Sequence, residues 1–138
     1  MEWKVQGIRG ATTVTENKID AIAEAVTELL DEIEAHNQFN PQDVVCVFFT
    51  ATRDLDAIFP AAVARNRPGW DNIPLLDLQQ MHVAGSLPSC IRVLIQVNTP
   101  RPQSAMVHCY LRNAQNLRPD LSIAQINNTV SSSVESYR

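Results

Sequence analysis

The chain has 138 residues, of which 45% are hydrophobic and 19% charged, and its formal net charge is −4. This length suits a single domain with its own core. The negative charge disfavours a nucleic-acid partner, and no apolar run approaches the roughly 20 residues needed to span a membrane. The three cysteines are widely spaced, so we expect free thiols rather than disulfides or a zinc site.

The first element in chain order is a strand over residues 3–14. This segment is β-branched and contains Gly7 and Gly10, which predict a bend or bulge near them. It carries charges and lacks an apolar signal core, so secretion is not expected. We therefore expect a cytoplasmic protein, which agrees with the expected free thiols.

The second element is a long amphipathic helix over residues 16–37. Apolar side chains recur there at helical spacing, and acidic side chains fall largely outside the stripe. Either Thr15 or Asn17 is suited to cap its start. The apolar positions are Ile19, Ile22, Val26, Leu29, Leu30 and Ile33.

The middle of the chain begins with a continuous apolar run at residues 44–50, which predicts a strand buried on both faces. A polar loop at 51–56 follows. Pro60 near a first helical position predicts a short helix over 59–67. Residues 73–78 form a further short strand, and residues 83–89, with Gly85 and Pro88, form a loop.

Two more strands are predicted at residues 90–97 and 106–111, followed by a short turn at 117–123 and a polar, mobile tail. We expect one domain over 1–122 and a tail over 123–138. The order of the elements predicts an α+β fold, a mixed β-sheet with the long and the short helix packed on one face.

Three arginines occupy positions that are unusual for surface arginines. Arg9 and Arg92 lie within predicted strands, and Arg118 lies in an otherwise uncharged turn; Arg65 lies on the short helix. Guanidinium groups bind carboxylates as two-pronged donors. Strand alternation alone would also turn each one toward solvent, so a site for an anion and a solvated surface both remain open.

Four blocks of sequence resemble the AroH class of chorismate mutases. They are GIRGATTV at 7–14, the Ala-Thr-x-Asp-Leu-x-Ala-x-Phe-Pro-Ala pattern at 51–61, CIRV at 90–93 and LRPDL at 117–121. The match runs in register from about residue 7 to 122. Several blocks in order are far more specific than one short motif.

The resemblance implies a homotrimer of pseudo-α/β-barrel type with active sites in clefts between subunits, and the conversion of chorismate to prephenate in phenylalanine and tyrosine biosynthesis. It also implies that Arg9 holds a substrate carboxylate and that Arg92 bonds the ether oxygen and a carboxylate. The other implied positions are Tyr110 in the pocket, apolar walls at Phe59, Leu75, Leu76 and Leu117, and basic groups at the mouth, Arg65 and Arg118.

The implied reaction is pericyclic, so no metal, cofactor or nucleophile is expected. Catalysis of this kind selects the compact substrate conformer and stabilises the negative charge that develops on the ether oxygen. A fixed cation that acts more strongly on the transition state than on the ground state lowers the barrier. Arg92 is the residue expected to supply it.

The sequence departs from the family's pattern at two polar pocket positions. Gln80 stands where the family usually has a glutamate, and Asp77 stands where cysteine is common. One hypothesis is that Asp77 supplies the missing carboxylate. The alternative is that Asp77 is a solvated loop acid and that Gln80 alone accepts the hydrogen bond, through its amide oxygen.

A further departure is Ala62, where the family can carry a lysine, so substrate capture depends more on Arg65 and Arg118. Two other functions stay open from the sequence. One is a non-catalytic trimer that binds a small molecule on the same scaffold, and the other is a related trimeric fold that deaminates reactive enamines or imines. Arg9, Arg92 and Tyr110 together disfavour the first, and the LRPDL block is not explained by the second.

Overall fold

The computed structural model describes residues 2–118. The strands and α-helices are β1 (Lys4–Thr13), α1 (Ile19–Asn37), β2 (Val44–Ala51), α2 (Pro60–Ala64), β3 (Leu75–Gln79), β4 (Cys90–Thr99) and β5 (Cys109–Tyr110). Three short 3-10 helices occupy Pro41–Asp43, Gln103–Ala105 and Arg112–Asn116. Within residues 2–118 no helix is both long and apolar enough to cross a membrane. The predicted tail lies outside the described residues.

The strands form one five-stranded sheet in the order β3-β2-β4-β1-β5. Strand β4 pairs antiparallel with both β1 and β2, whereas β3 pairs parallel with β2 and β5 pairs parallel with β1. The sheet is therefore mixed. Both α-helices pack on one of its faces, which confirms the predicted α+β fold.

The core lies between the helices and that face of the sheet. Helix α1 buries the face that its periodicity predicted except for Ile19, which is 56% exposed, because side chains three and four residues apart share one side of a helix. Its buried apolar residues are Ile22, Ala25, Val26, Leu29, Leu30 and Ile33. They meet alternate residues of the central strands, including Ile8, Val47, Phe49, Val93 and Ile95.

The prediction of a bulge near the glycines of β1 was wrong. Strand β1 pairs with β4 in unbroken register from Lys4 opposite Thr99 to Thr13 opposite Cys90, so no bulge occurs at the glycines. Gly10 instead permits close packing, since a Cβ there would lie 2.9 Å from Cδ1 of Ile33 and 3.1 Å from the Cys109 carbonyl oxygen. The irregularity of the sheet lies in β2, between Val44 and Cys46.

The predicted start of α1 was also wrong. The helix begins at Ile19, its N-cap residue is Lys18, and no side chain caps it. Neither Thr15 nor Asn17 takes that role. Asn17 is hydrogen-bonded instead to the loop that follows β2, which explains why it is not available to the helix.

The prediction of a third strong strand at 106–111 was only partly correct. Strand β5 has two residues, because only Gly10 and Ala11 of β1 pair with it. The preceding segment is fixed by side chains rather than by a ladder. The amide of Val107 donates to Oδ1 of the fully buried Asn37, whose Nδ2 donates to the Val107 and Ile33 carbonyls.

The second face of the sheet carries no helix within residues 2–118, and we call it the open face. Strand β2 is therefore not buried on both faces as predicted: Val45 is 43% exposed and Phe48 is half-buried. Large apolar side chains remain accessible on the open face at Val5, Leu76, Leu78 and Leu94.

Candidate active site

Two of the strand arginines meet Tyr110 on the open face. Ala11 pairs with Arg92 on one side and with Tyr110 on the other, and Arg9 pairs with Leu94. Because residues directly opposite one another share a face of the sheet, these side chains converge. Arg9, Arg92 and Tyr110 line one cavity of about 390 Å³.

Gln80 directly contacts the guanidinium of Arg92. The Arg92 Nε–H donates to the side-chain Oε1 of Gln80 across 3.2 Å. The backbone N–H of Gln80 donates to the Ala51 carbonyl at 2.9 Å. The backbone bond continues the pairing of β3 with β2, so Gln80 is anchored where β3 ends. A partly buried hydrogen bond of this kind fixes the plane of the arginine's fork.

Asp77 lies on the other face of the sheet. It pairs with Phe49 of the core, and its Oδ1 accepts a hydrogen bond of 3.0 Å from the Ala61 amide near the start of α2. Burial raises the pKa of Asp77, and the hydrogen bond and the charge of Arg65 oppose this rise. Within one subunit, Asp77 is therefore not brought together with Arg92.

A larger cavity of about 600 Å³ lies beside the first one. Its lining includes Asp77, Leu78 and the exposed Phe59, and Leu78 also lines the cavity of the two arginines. Among the other implied wall residues, Leu76 is 53% exposed on the open face, whereas Leu75 packs against the core.

The remaining candidates lie around these two cavities. Arg65 is exposed just after α2, close enough for its charge to act on Asp77. Leu117 packs against the small cluster around Tyr110, and Arg118 acts electrostatically on His108. Among residues 2–118, no group of three or more His, Cys, Asp or Glu side chains is arranged to hold a metal ion.

Comparison with known proteins identifies the family. Residues 5–121 match the family model described as chorismate mutase type I. The chain is 42% identical over 121 residues to chorismate mutase AroH of Bacillus subtilis (strain 168), with 88% of this chain and 95% of that protein aligned. It is 47% identical over 122 residues to chorismate mutase AroH of Thermus thermophilus, with 88% and 99% aligned.

The chain belongs to the chorismate mutase type I family. A solved structure, chorismate mutase from Clostridium thermocellum Cth-682, superposes with a TM-score of 0.77 at 42% identity, covering 80% of this chain and 97% of the other. The resemblance inferred from the four sequence blocks is thereby confirmed. The roles of individual residues stay predictions.

The sequence interpretation did not single out His108, which lies beside the strand segment that carries Arg9. Its Nδ1 accepts a hydrogen bond of 2.9 Å from the backbone amide of Arg9, just ahead of the two-residue strand β5. An accepting Nδ1 requires a neutral ring that carries its proton on Nε2. His108 falls within the predicted strand at 106–111. A histidine in a strand can have many roles, so its residue type gave no specific signal.

The requirement for a neutral His108 predicts a dependence of stability on pH. Burial lowers the pKa of His108 below its ordinary value of about 6.5, and the charges of Arg9 and Arg118 lower it further. Below pH 6.5 the unfolded chain therefore binds a proton that the folded chain resists, so the stabilisation present above 6.5 is lost as the pH falls.

We expect the urea midpoint to fall more between pH 7.5 and 5.5 in the wild type than in His108→Gln, measured at one fixed protein concentration. His36→Gln is the matched control, because His36 is exposed and pairs with Glu32 on the surface. An equal pH dependence in the wild type and His108→Gln would contradict the prediction.

Proposed function

We propose that this protein converts chorismate to prephenate and so acts as an isomerase in aromatic amino acid biosynthesis. The observation that carries the proposal is the convergence of Arg9, Arg92 and Tyr110 on one cavity in a chain that matches the family over residues 5–121. The substrate is a dianion, and two fixed guanidinium groups are suited to two carboxylates. The odd number and wide spacing of the cysteines support a cytoplasmic location.

The arginines have different roles in this proposal. Arg92 supplies the positive charge next to the ether oxygen as that bond breaks, and Gln80 orients its fork. Arg9, on the neighbouring strand β1, anchors a carboxylate of the substrate. Arg65 and Arg118 attract the substrate at the mouth. Since the rearrangement requires no proton transfer, the contribution of the protein is orientation and charge stabilisation.

Incubating the purified protein with chorismate, and following chorismate loss together with prephenate formation, tests the function. We expect stoichiometric conversion well above the uncatalysed rate. Binding of chorismate by calorimetry without turnover would instead indicate the small-molecule-binding alternative.

We further propose a homotrimer in which the open face and the adjoining cavities are completed by neighbouring subunits. The support is the accessible apolar surface of that face: Leu76 and Val5 are 53% and 52% exposed, and Leu94 is 38% exposed beside the arginine cavity. Exposed apolar surface of this kind on one side of a sheet is typical of an interface. Phe59, 69% exposed, would gain a partner in the same way.

Replacing Leu94 by Glu should dissociate the oligomer, because it places a charge in the middle of the open face. Sedimentation velocity should show a trimer for the wild type and a smaller species for Leu94→Glu. Ile19→Glu is the control, since Ile19 is 56% exposed at the start of α1, away from the open face. A monomeric wild type at working concentrations would contradict the trimer and the shared site.

The two polar departures from the family are distinguished by a matched pair of variants. Gln80→Ala removes the acceptor of the Arg92 Nε–H and should lower kcat/KM at least tenfold, since hydrogen bonds to charged groups contribute about 1.5–3 kcal/mol. Asp77→Asn keeps an oxygen that can accept from Ala61 and should change kcat less than threefold. A larger loss in Asp77→Asn would instead support the hypothesis that Asp77 supplies the missing carboxylate.

A further inference from the structure

The loop between β2 and α2 forms a large part of the wall of the 600 Å³ cavity. Residues 52–59, which we call the 52–59 loop, supply most of its lining, and the loop ends on the exposed Phe59. It contains no helix or strand. Its conformation therefore depends on hydrogen bonds within the loop and with other segments.

One end of the 52–59 loop is fastened to the start of β4. The Thr52 amide donates to the Cys90 carbonyl, and the Cys90 amide donates to Oγ1 of Thr52 at 2.9 Å. Asp54 accepts from the Thr52 hydroxyl at 2.5 Å and from the Ser89 amide at 3.0 Å. The hydrogen bond from Thr52 is the largest of the causes that hold the pKa of Asp54 below its ordinary value. This end of the loop is thus tied to the strand that carries Arg92.

The other end of the loop is held by Asn17, which is distant in sequence. Oδ1 of Asn17 accepts hydrogen bonds from the backbone amides of Asp56 and Ala57 at 3.0 and 3.1 Å, and its Nδ2 donates to Oδ1 of Asp56 at 2.6 Å. Both polar atoms of the Asn17 amide are therefore engaged with two consecutive residues of the loop.

The position of Asn17 makes this use of its side chain informative. Asparagine is among the residues best suited to cap a helix, and Asn17 directly precedes the N-cap residue Lys18, yet α1 begins without a side-chain cap. The first amides of α1 are left without a side-chain cap. The same side chain instead fixes two amides just ahead of Phe59.

We propose that Asn17 is a positioning residue, which holds the 52–59 loop and hence Phe59 in the geometry that receives the substrate. The proposal rests on the proposed function, because the family resemblance that supports that function also implies that Phe59 is a wall of the substrate site. Asn17 lies outside the linings of both site cavities and acts through the loop. Its loss should therefore weaken substrate binding more than it slows the chemical step.

Exchanging the partners across this contact gives the sharpest test. Asn17→Ala should raise KM for chorismate about tenfold and change kcat less than threefold. Asn17→Asp keeps an acceptor for both amides but sets a carboxylate against that of Asp56, so KM should also rise. The double variant N17D/D56N reverses donor and acceptor between the two side chains and should return KM to within about threefold of the wild type.

Asn40→Ala is the matched control for Asn17→Ala. The Asn40 side chain likewise accepts a backbone amide, that of Gln42, just before a short helix, but at the opposite end of β2 from the loop. Its KM should equal that of the wild type. An unchanged KM in Asn17→Ala, or a double variant no better than Asn17→Asp, would overturn the proposal.

Amide hydrogen exchange separates this proposal from the proposed function. In Asn17→Ala, faster exchange should be confined to the 52–59 loop, with the exchange of α1 interior amides unchanged. If the wild type fails to convert chorismate, the proposed function is wrong. The exchange data then remain as the test of the contact between Asn17 and the 52–59 loop. Unchanged exchange in the loop would then overturn the role of Asn17.

Discussion

Replacing Arg92 by Gln should lower kcat/KM several-hundredfold while leaving the fold intact. The variant keeps hydrogen-bonding capacity but loses the positive charge beside the breaking ether bond. Removing one preorganised group that stabilises transition-state charge typically costs about 3–4 kcal/mol, which corresponds to a factor of hundreds in rate. Most of the loss should appear in kcat, because the charge on the ether oxygen develops only in the transition state.

Arg92→Lys should recover only part of this loss. Lysine keeps the charge but lacks the planar fork, and the contact between the Arg92 Nε–H and Gln80 cannot be reproduced by a single flexible ammonium group. Lys4→Gln is the control, since it removes the same charge at the far end of β1. Steady-state kinetics in which Arg92→Gln retains most of the wild-type kcat would contradict the role assigned to Arg92.

Replacing Asn37 by Leu should destabilise the fold by about 3 kcal/mol. Asn37 is completely buried, and its amide satisfies the Val107 amide and the carbonyls of Val107 and Ile33. Leucine leaves the Val107 amide and carbonyl without these partners, and each buried unsatisfied group costs about 1–3 kcal/mol. The loss should be visible in urea unfolding at constant protein concentration.

The exposed Asn66 provides a control for Asn37. Its side chain makes one long contact of 3.4 Å with the Ala62 carbonyl, so Asn66→Leu should change stability by less than about 0.5 kcal/mol. Equal stability of Asn37→Leu and the wild type would show that the buried amide does not hold the segment before β5. Since that segment leads to His108 and Tyr110, Asn37→Leu should also reduce activity.

The elements with strong periodicity could be predicted from the sequence. The apolar stripe of α1 and the apolar runs of β2 and β4 depend mainly on which side chains avoid water, and that information is local. The length of β5 is not local. The length of β5 depends on pairing with β1, which is distant in sequence, and only Gly10 and Ala11 of β1 pair with it.

The open face explains the misjudged burial of β2. A continuous apolar run indicates that both sides of a strand are to be covered, but it does not say whether the cover comes from the same subunit. Within residues 2–118 no helix covers the face of Phe48. In the proposed trimer, a neighbouring subunit would supply the cover that the sequence pattern predicts.

The candidate site divides in a similar way. Arg9, Arg92 and Tyr110 could be identified from the sequence blocks, and strand pairing brings them together. Within one subunit, Asp77 and Gln80 lie on opposite faces of the sheet, and alternation along a strand contained that signal. Residues three apart on extended chain point to opposite sides, so the hypothesis that Asp77 supplies the missing carboxylate requires a site shared between subunits.

Asn17 shows the limit of reasoning from local propensity. Its residue type and place predict a helix cap, but the partner it contacts is about forty residues further along the chain. Such a choice between a local and a distant hydrogen bond is decided by the tertiary structure.

The most direct test of the account is to follow chorismate and prephenate together with purified wild-type and Arg92→Gln protein after dialysis against a chelator. We predict that the wild type forms one prephenate for each chorismate consumed, without an added metal or cofactor, and that Arg92→Gln does so several-hundredfold more slowly. Chorismate left unconverted by the wild type, or equal rates for the two proteins, would contradict the account.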